Sequence, residues 1–210
     1  MRRSGWGALA VAWVAATGRA ETLEDVTVTA APLGDTPLES SQPVSVLRGP
    51  ALDRRRGASL GDTLGTLPGV TSSGFGTAAG RPVIRGFSGP RVGVVENGLD
   101  VLDASSVSPD HAVPVDPLGT RQIEVLRGPA TLLYGSGAIG GLVNAVTDLI
   151  PVTARPGLRG DALLGWDSAP RERVGSLRLR GGTEAAAGGG SLNWTLGGFI
   201  RDAGDYAIPG

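Results

Sequence analysis

The stretch RQIEVLRGPATLLYGSGAIGGLVNAVTD, residues 121–148, determines how the rest of the chain is interpreted. Its opening residues 123–126 alternate in character, which predicts a half-buried β-strand. Pro129 fits the first position of a short helix at 130–134, because its missing N–H costs nothing there. A glycine-rich link and a β-prone run at 142–146 complete the unit. By pattern alone, this unit is an ordinary strand–helix–strand connection.

The order of residues in this stretch is more informative than its pattern of apolar and polar positions. IEVLRGPATLLYGSGAIGGLVN, residues 123–144, closely resembles the plug-domain signature of TonB-dependent outer-membrane receptors. In that family a small plug sits inside a barrel of about 22 strands and gates the import of scarce nutrients. The resemblance implies an α+β plug domain, with a small mixed sheet and short helices. The first antiparallel strands of a transmembrane β-barrel are then expected to follow it.

The composition excludes several classes of protein. A net charge of −1 gives no electrostatic basis for nucleic-acid binding. The chain has no cysteine, which excludes disulfides and thiolate metal sites. Its 35 glycines follow no collagen-like period, and 40% apolar residues argue against disorder.

Residues 1–20 are predicted to be a secretory signal peptide. Arg2 and Arg3 precede an apolar run that is too short to span a bilayer, and small residues support cleavage after Ala20. A buried N-terminal helix is the alternative interpretation.

Residues 21–42 are predicted to contain a TonB box and a linker. The run at 24–30 is β-branched and alternating, and such a segment can add a strand to a partner's sheet. A simple first strand is the alternative interpretation, but the position and wording of the run resemble the box that TonB grips from the periplasm. The residues implied to bind TonB are Asp25, Val26, Thr27, Val28, Thr29 and Ala30.

The plug is expected to occupy residues 43–150. A helix is predicted to begin at Ser59, an N-cap with Asp62 three residues later, and to end at Pro68-Gly69. Other predicted elements are, in chain order, a strand at 43–48, a basic helix at 52–56, a strand at 81–87, and a strand at 91–96 that leads into an Asn97-Gly98 hairpin turn.

Arg85 and Arg127 are candidate anchoring residues. Each lies next to glycine at a predicted strand end, where a solvated or locally paired arginine is the ordinary interpretation. In the family, the matching arginines pair with glutamates of the barrel wall, and a planar guanidinium suits such a bidentate partner. The resemblance therefore implies that both side chains anchor the plug, with glutamates beyond residue 210 as partners.

Asp110 and His111 form the candidate metal site. A lone histidine in a loop is more often a surface residue, and two neighbours supply only part of a coordination shell. The phrase SPDHAVPVDP, residues 108–117, nevertheless resembles the zinc-uptake subgroup of the same receptors. The resemblance implies transported zinc or a metal chelate as cargo, and no prosthetic group is expected.

Residues 151–210 are expected to begin the barrel. Alternating runs at 159–167, 173–181 and 191–201 place apolar side chains on one face and polar ones on the other, with Phe199 as an exception. An amphipathic soluble sheet shares this alternation. Three strands cannot close a barrel, so the chain is expected to be a truncated piece of a longer receptor.

The resulting functional prediction is the N-terminal part of a TonB-dependent receptor in the outer membrane, without catalysis. Its expected partners are TonB with the inner-membrane energising complex, outer-membrane lipid and an extracellular nutrient, but no nucleic acid. Siderophores, haem and cobalamin stay open as substrates. A barrel-less periplasmic binding module is one alternative. An enzyme with a phosphate-binding loop at 135–141 is another, but that loop lacks the required lysine and precedes a strand.

Overall fold

The computed structural model of the chain describes residues 43–74, 76, 78–128, 131, 134–135, 137–149, 156–167, 171–183 and 190–204. The predicted signal peptide, the predicted TonB box and most of the helix predicted at 130–134 lie outside these residues. Two short helices and ten strands occur in the described part: β1 (Val44–Arg48), α1 (Gly49–Asp53), α2 (Leu60–Leu64), β2 (Val70–Ser72), β3 (Pro82–Ile84), β4 (Val92–Glu96), β5 (Leu99–Asp100), β6 (Gln122–Leu126), β7 (Gly141–Val146), β8 (Gly157–Asp167), β9 (Glu172–Gly182) and β10 (Asn193–Asp202).

A five-stranded mixed sheet forms the centre of the first part of the chain. Its strand order is β1-β6-β7-β4-β5, in which only β4 and β7 run parallel. The mixed sheet with a few short helices confirms the predicted fold class. The prediction that the strand at 123–126 is half-buried is wrong, because β6 lies inside the sheet and all five of its residues are buried.

Helix α2 begins where the sequence predicts. Ser59 accepts a hydrogen bond from the backbone N–H of Asp62 at 3.0 Å, which satisfies one of the free donors of the first turn. The helix is shorter than predicted, since Gly65 caps it after Leu64. Leu60 and Leu64 are both buried, in the same apolar cluster as Ile123 and Val125 of β6.

Two other predicted elements are displaced. The helix predicted at 52–56 instead spans Gly49–Asp53 and so begins three residues earlier, with Pro50 in its first turn, where the missing N–H costs nothing. The strand predicted at 81–87 ends at Ile84. Arg85 and Gly86 then form a tight turn with φ values of 52° and 82°, closed by hydrogen bonds between Ile84 and Phe87.

The hairpin between β4 and β5 follows the predicted chemistry. Asn97 and Gly98 have φ values of 52° and 78°, the left-handed pair that a two-residue hairpin turn requires. Asn144 of the neighbouring β7 accepts a hydrogen bond from the Gly98 N–H at 2.9 Å, which fixes the turn to the sheet.

The last part of the chain forms a separate three-stranded sheet of order β10-β9-β8, antiparallel throughout. Its strands are ten or eleven residues long and match the three predicted runs to within two residues at each end. One face exposes large apolar side chains: Leu164, Trp166, Leu177, Trp194, Leu196 and Ile200. The other face carries Arg178 and Arg201, which contact the first part of the chain.

No helix in the described residues has the length and apolar character needed to cross a membrane.

Candidate functional site

Asp110 and His111 lie side by side on an exposed loop. Their side chains are 59% and 57% exposed, and the His111 Nδ1 lies 2.9 Å from an Asp110 carboxylate oxygen. Ser108 donates a hydrogen bond to that carboxylate at 2.5 Å. The local turn is held by the His111 N–H, which donates to the Ser108 carbonyl at 3.1 Å.

These contacts keep the Asp110 carboxylate charged. The hydrogen bond from Ser108 lowers the pKa of Asp110 below its ordinary value, and the contact with His111 lowers it further. An anionic carboxylate beside an imidazole can contribute two donors to a metal. In the part of the chain that the structure describes, no third histidine, cysteine or acidic residue joins them in a metal-binding group.

The start of the same loop is fixed by a buried ion pair that sequence reasoning missed. Arg81 pairs with Asp103, and both side chains are less than 10% exposed. The Arg81 guanidinium also donates to the Ser105 hydroxyl at 2.6 Å and to the Val92 carbonyl at 2.9 Å. One guanidinium therefore joins the chain before β3, the start of β4 and the loop that leads to Asp110. The only signal in the sequence is an arginine before a strand, which does not identify its partner.

Arg127 lies directly after β6, as predicted, but its contacts are local. Its side chain donates to the Ser45 hydroxyl at 2.9 Å and to the Pro68 carbonyl at 3.1 Å. Its Nε is buried without a hydrogen-bond partner among the described residues. Burial lowers the pKa of Arg127, and the neighbouring positive charge of Arg85 lowers it further.

Arg85 occupies the left-handed turn after β3, with its side chain exposed. Its backbone N–H donates to the Gly69 carbonyl at 2.8 Å. Within the described residues, neither Arg85 nor Arg127 forms a salt bridge with a carboxylate. The structure thus brings the two predicted anchoring arginines together, and their predicted glutamate partners stay a prediction.

Glu124 is a second buried charged residue that was not singled out from the sequence. It is fully buried at the centre of the five-stranded sheet. Gln122 and Asn144 donate to its two carboxylate oxygens at 2.7 and 3.0 Å. Glu124 stands opposite Asn144 in the β6–β7 pairing, so this polar pair sets the register of two central strands.

A profile of the TonB-dependent receptor plug domain matches residues 36–142, half of the chain. The chain belongs to the TonB-dependent receptor plug family. The match covers the five-stranded sheet as far as the start of β7 and the loop that carries Asp110 and His111. A family of receptor plugs fits the expectation that the chain is not an enzyme.

Two curated relatives have similar sequences. The hemin receptor of Yersinia pestis is 31% identical over 128 residues, which is 60% of this chain and 19% of the relative. The vitamin B12 transporter BtuB of Photobacterium profundum is 34% identical over 159 residues, 71% of this chain and 26% of the relative. The chain thus spans a fifth to a quarter of the length of these relatives.

Solved receptor structures share the fold. The siderophore receptor PirA of Pseudomonas aeruginosa superposes with a TM-score of 0.56 and 26% identity, over 80% of this chain and 30% of that one. A mutant of the ferric enterobactin receptor PfeA from the same organism gives a TM-score of 0.61 at 24% identity, over 85% of this chain and 26% of that one. The second likeness is one of fold alone. Both superpositions cover more of this chain than the 107 residues of the family match. None of these proteins is described as a zinc receptor, so the zinc-uptake subgroup gains no support from them.

Proposed function

We propose that the chain is the N-terminal part of an outer-membrane receptor that imports a scarce nutrient with energy supplied through TonB. The observation that carries this proposal is the combination of a plug-family sheet with a following amphipathic sheet. Residues 43–150 then serve as the plug, and β8–β10 are the first strands of the surrounding barrel. The apolar face of β8–β10 meets lipid, and the arginine-bearing face meets the plug.

The coupling step is assigned to residues 25–30. This β-branched run precedes the plug, and an extended segment can bind by adding a strand to the sheet of TonB. Force applied there reaches β1, which is the edge strand of the five-stranded sheet and pairs with β6. Pulling on the box therefore acts on the strand that leads into Arg127 and the glycine-rich stretch.

The proposed cargo is a metal chelate such as haem, a cobalamin or a ferric siderophore. The named relatives and solved neighbours support this class. The geometry of the loop supports it as well, since a chelated metal brings most of its coordination shell and needs one or two protein donors. Asp110 and His111 offer two such donors on an exposed loop.

Free zinc is the second candidate cargo. It is favoured by the adjacent carboxylate and imidazole, which are both ordinary zinc ligands. A closed zinc site needs about four ligands. Other parts of a receptor would have to supply the remaining donors.

Capture by TonB tests the coupling. Purified periplasmic domain of TonB should retain the chain, and Val28→Pro should abolish retention because proline removes a ladder N–H. Ser40→Pro, in the linker, is the matched control and should leave retention intact. Equal retention of all three proteins would contradict the assignment of residues 25–30.

Ligand titration tests the cargo. Hemin, cyanocobalamin, a ferric siderophore and zinc chloride are each titrated into the chain and into His111→Ala, by calorimetry and, for hemin, by the Soret band. We expect saturable binding of one chelate, and for hemin a Soret shift that His111→Ala removes. Saturable binding of zinc alone, lost in His111→Ala, would replace the chelate with the ion.

A further inference from the structure

The backbone of the segment Asp116–Thr120, which follows the candidate site loop, is held by one arginine of the plug and one of the three-stranded sheet. From the plug side, Arg56 donates to the carbonyls of Pro117 and, at 3.0 Å, Thr120. From the three-stranded sheet, Arg178 donates to the Gly119 carbonyl at 3.0 Å and to the Leu118 carbonyl at 3.3 Å. Residues 117–119 form a single 3₁₀ turn, whose last carbonyls find no partner within so short a turn. Arg178 supplies the donors for these last carbonyls.

Arg178 also reaches a second point on the plug. Its other terminal nitrogen lies 3.2 Å from a carboxylate oxygen of Asp148, and Arg180 pairs with the second oxygen. Gly119 and Asp148 flank β6 and β7, which are adjacent central strands. One side chain of β9 thus bridges the entry to β6 and the exit of β7.

Arg201 of β10 makes a similar contact nearby. It donates to the Ala58 carbonyl, just before α2, and lies 3.5 Å from the carboxylate of Asp116. Its Nε lies 3.5 Å from Glu172 of β9, which orients the guanidinium from its own sheet. The side chains of Arg178 and Arg201 are only 15% and 14% exposed, so water screens these contacts less than those of surface pairs.

We propose that Arg178 and Arg201 form a latch that holds the plug to the barrel wall through residues 116–119 and Asp148. The proposal rests on the proposed function, because it takes β8–β10 as part of that wall. In this latch the wall supplies the guanidinium groups and the plug supplies carbonyls and carboxylates, which is the reverse of the polarity predicted for Arg85 and Arg127.

The position of the latch ties it to the cargo loop. That loop begins at Asp103, which Arg81 fixes to the plug, and ends at Asp116, which Arg201 contacts. Movement of the plug away from the wall must break the Arg178 and Arg201 contacts or stretch the loop between these two points. The latch therefore links the seating of the plug to the shape of the loop that carries Asp110 and His111.

Thiol cross-linking measures the latch directly, because the native chain has no cysteine to interfere. Gly119→Cys is combined with Ser176→Cys, which lies two residues before Arg178 on the same face of β9. A side chain at position 119 meets no atom within 4 Å. The pair is treated with a short flexible bismaleimide in membranes of a Gram-negative host that expresses the chain. We expect efficient cross-linking, and much less when Gly119→Cys is combined with Leu177→Cys, the adjacent residue on the opposite face.

The latch arginines are then changed in the cross-linking background. R178Q with R201Q should lower the cross-linking yield about fivefold or more, as expected when hydrogen bonds to charged groups are lost. R173Q, on the exposed face of β9, is the matched control and should leave the yield unchanged. The comparison of Ser176→Cys with Leu177→Cys needs no arginine variant, so it stands even where the glutamine variants fail to fold.

The outcomes separate the latch from the proposed function. An unchanged yield in R178Q/R201Q, or equal yields with Ser176→Cys and with Leu177→Cys, would overturn the latch while TonB capture still supported the receptor. Loss of TonB capture by the unaltered chain, together with normal cross-linking, would overturn the proposed coupling and leave the contact standing.

Discussion

Replacement of Arg81 should cost the plug much of its stability. Its guanidinium and the Asp103 carboxylate are buried together, and both also hydrogen-bond to Ser105. Arg81→Gln leaves Asp103 buried without its counter-ion, which costs about 3–5 kcal/mol in comparable buried pairs. We expect the free energy of unfolding to fall by that order, as measured by chemical denaturation of the chain in detergent.

The matched control for this prediction is the double replacement Arg81→Gln with Asp103→Asn. It removes both charges, so part of the lost stability should return. If the double variant lost as much free energy of unfolding as the two single variants together, the two charges would act independently.

The pKa of Asp110 gives a second prediction at this scale. Because the Ser108 hydrogen bond is the largest cause of its lowered pKa, Ser108→Ala should raise that pKa toward the ordinary value of 3.8. Because the pKa is lowered in the unaltered chain, the carboxylate stays anionic until the pH falls below its ordinary titration range. Any stabilisation from its charge is lost only at those lower pH values. The chemical shift of the Asp110 carboxyl carbon, followed by NMR as the pH is changed, measures this pKa directly. Ser106→Ala is the control, since Ser106 bonds to the Asp103 carbonyl instead. An identical titration of Asp110 in the Ser108→Ala chain would contradict the assignment.

Single elements were predictable where one local rule decides them. Ser59 caps α2, and Asn97-Gly98 turns the β4–β5 hairpin, because each depends on a few neighbouring residues. The start of α1 was misplaced although Pro50 signalled it. The burial of β6 on both faces was not predictable from alternation, because it depends on distant residues: Ile123 and Val125 pack in one apolar cluster and Leu126 packs in another.

The cap of α2 provides the prediction at the scale of elements. Ser59→Ala removes the acceptor for the Asp62 N–H and should lower the free energy of unfolding by about 1 kcal/mol. Ser88→Ala is the matched control, because Ser88 precedes a short 3₁₀ turn without any side-chain capping bond. Thermal unfolding of the two variants side by side checks the difference. Equal losses would mean that the cap contributes nothing specific to α2.

At the scale of the whole molecule, the sequence predicted two bodies but not how they meet. The alternation of apolar and polar residues predicted β8–β10, and the resemblance to the plug signature predicted the five-stranded sheet. The contacts between them join residues that are 30 to 143 positions apart, such as Arg178 with Asp148 and Arg201 with Ala58. No local pattern specifies such pairs, so Arg178 and Arg201 appeared only as polar members of alternating strands. The prediction instead placed the anchoring role on Arg85 and Arg127, whose described contacts lie within the plug.

The two faces of the three-stranded sheet give the last prediction. Leu164 is 90% exposed on the apolar face that the proposed function places against lipid. Leu163, its neighbour, points to the opposite face and pairs across the ladder with Ser176. An arginine on the lipid face of a barrel costs about 2–4 kcal/mol near the bilayer centre, whereas a polar interior tolerates it.

Leu164→Arg should therefore reduce the amount of chain in the outer-membrane fraction, and Leu163→Arg should leave it near the original level. Immunoblots of fractionated membranes compare the two variants at equal expression. If Leu163→Arg were lost and Leu164→Arg retained, the face assigned to lipid would be the wrong one, and the latch arginines would then point away from the wall's interior.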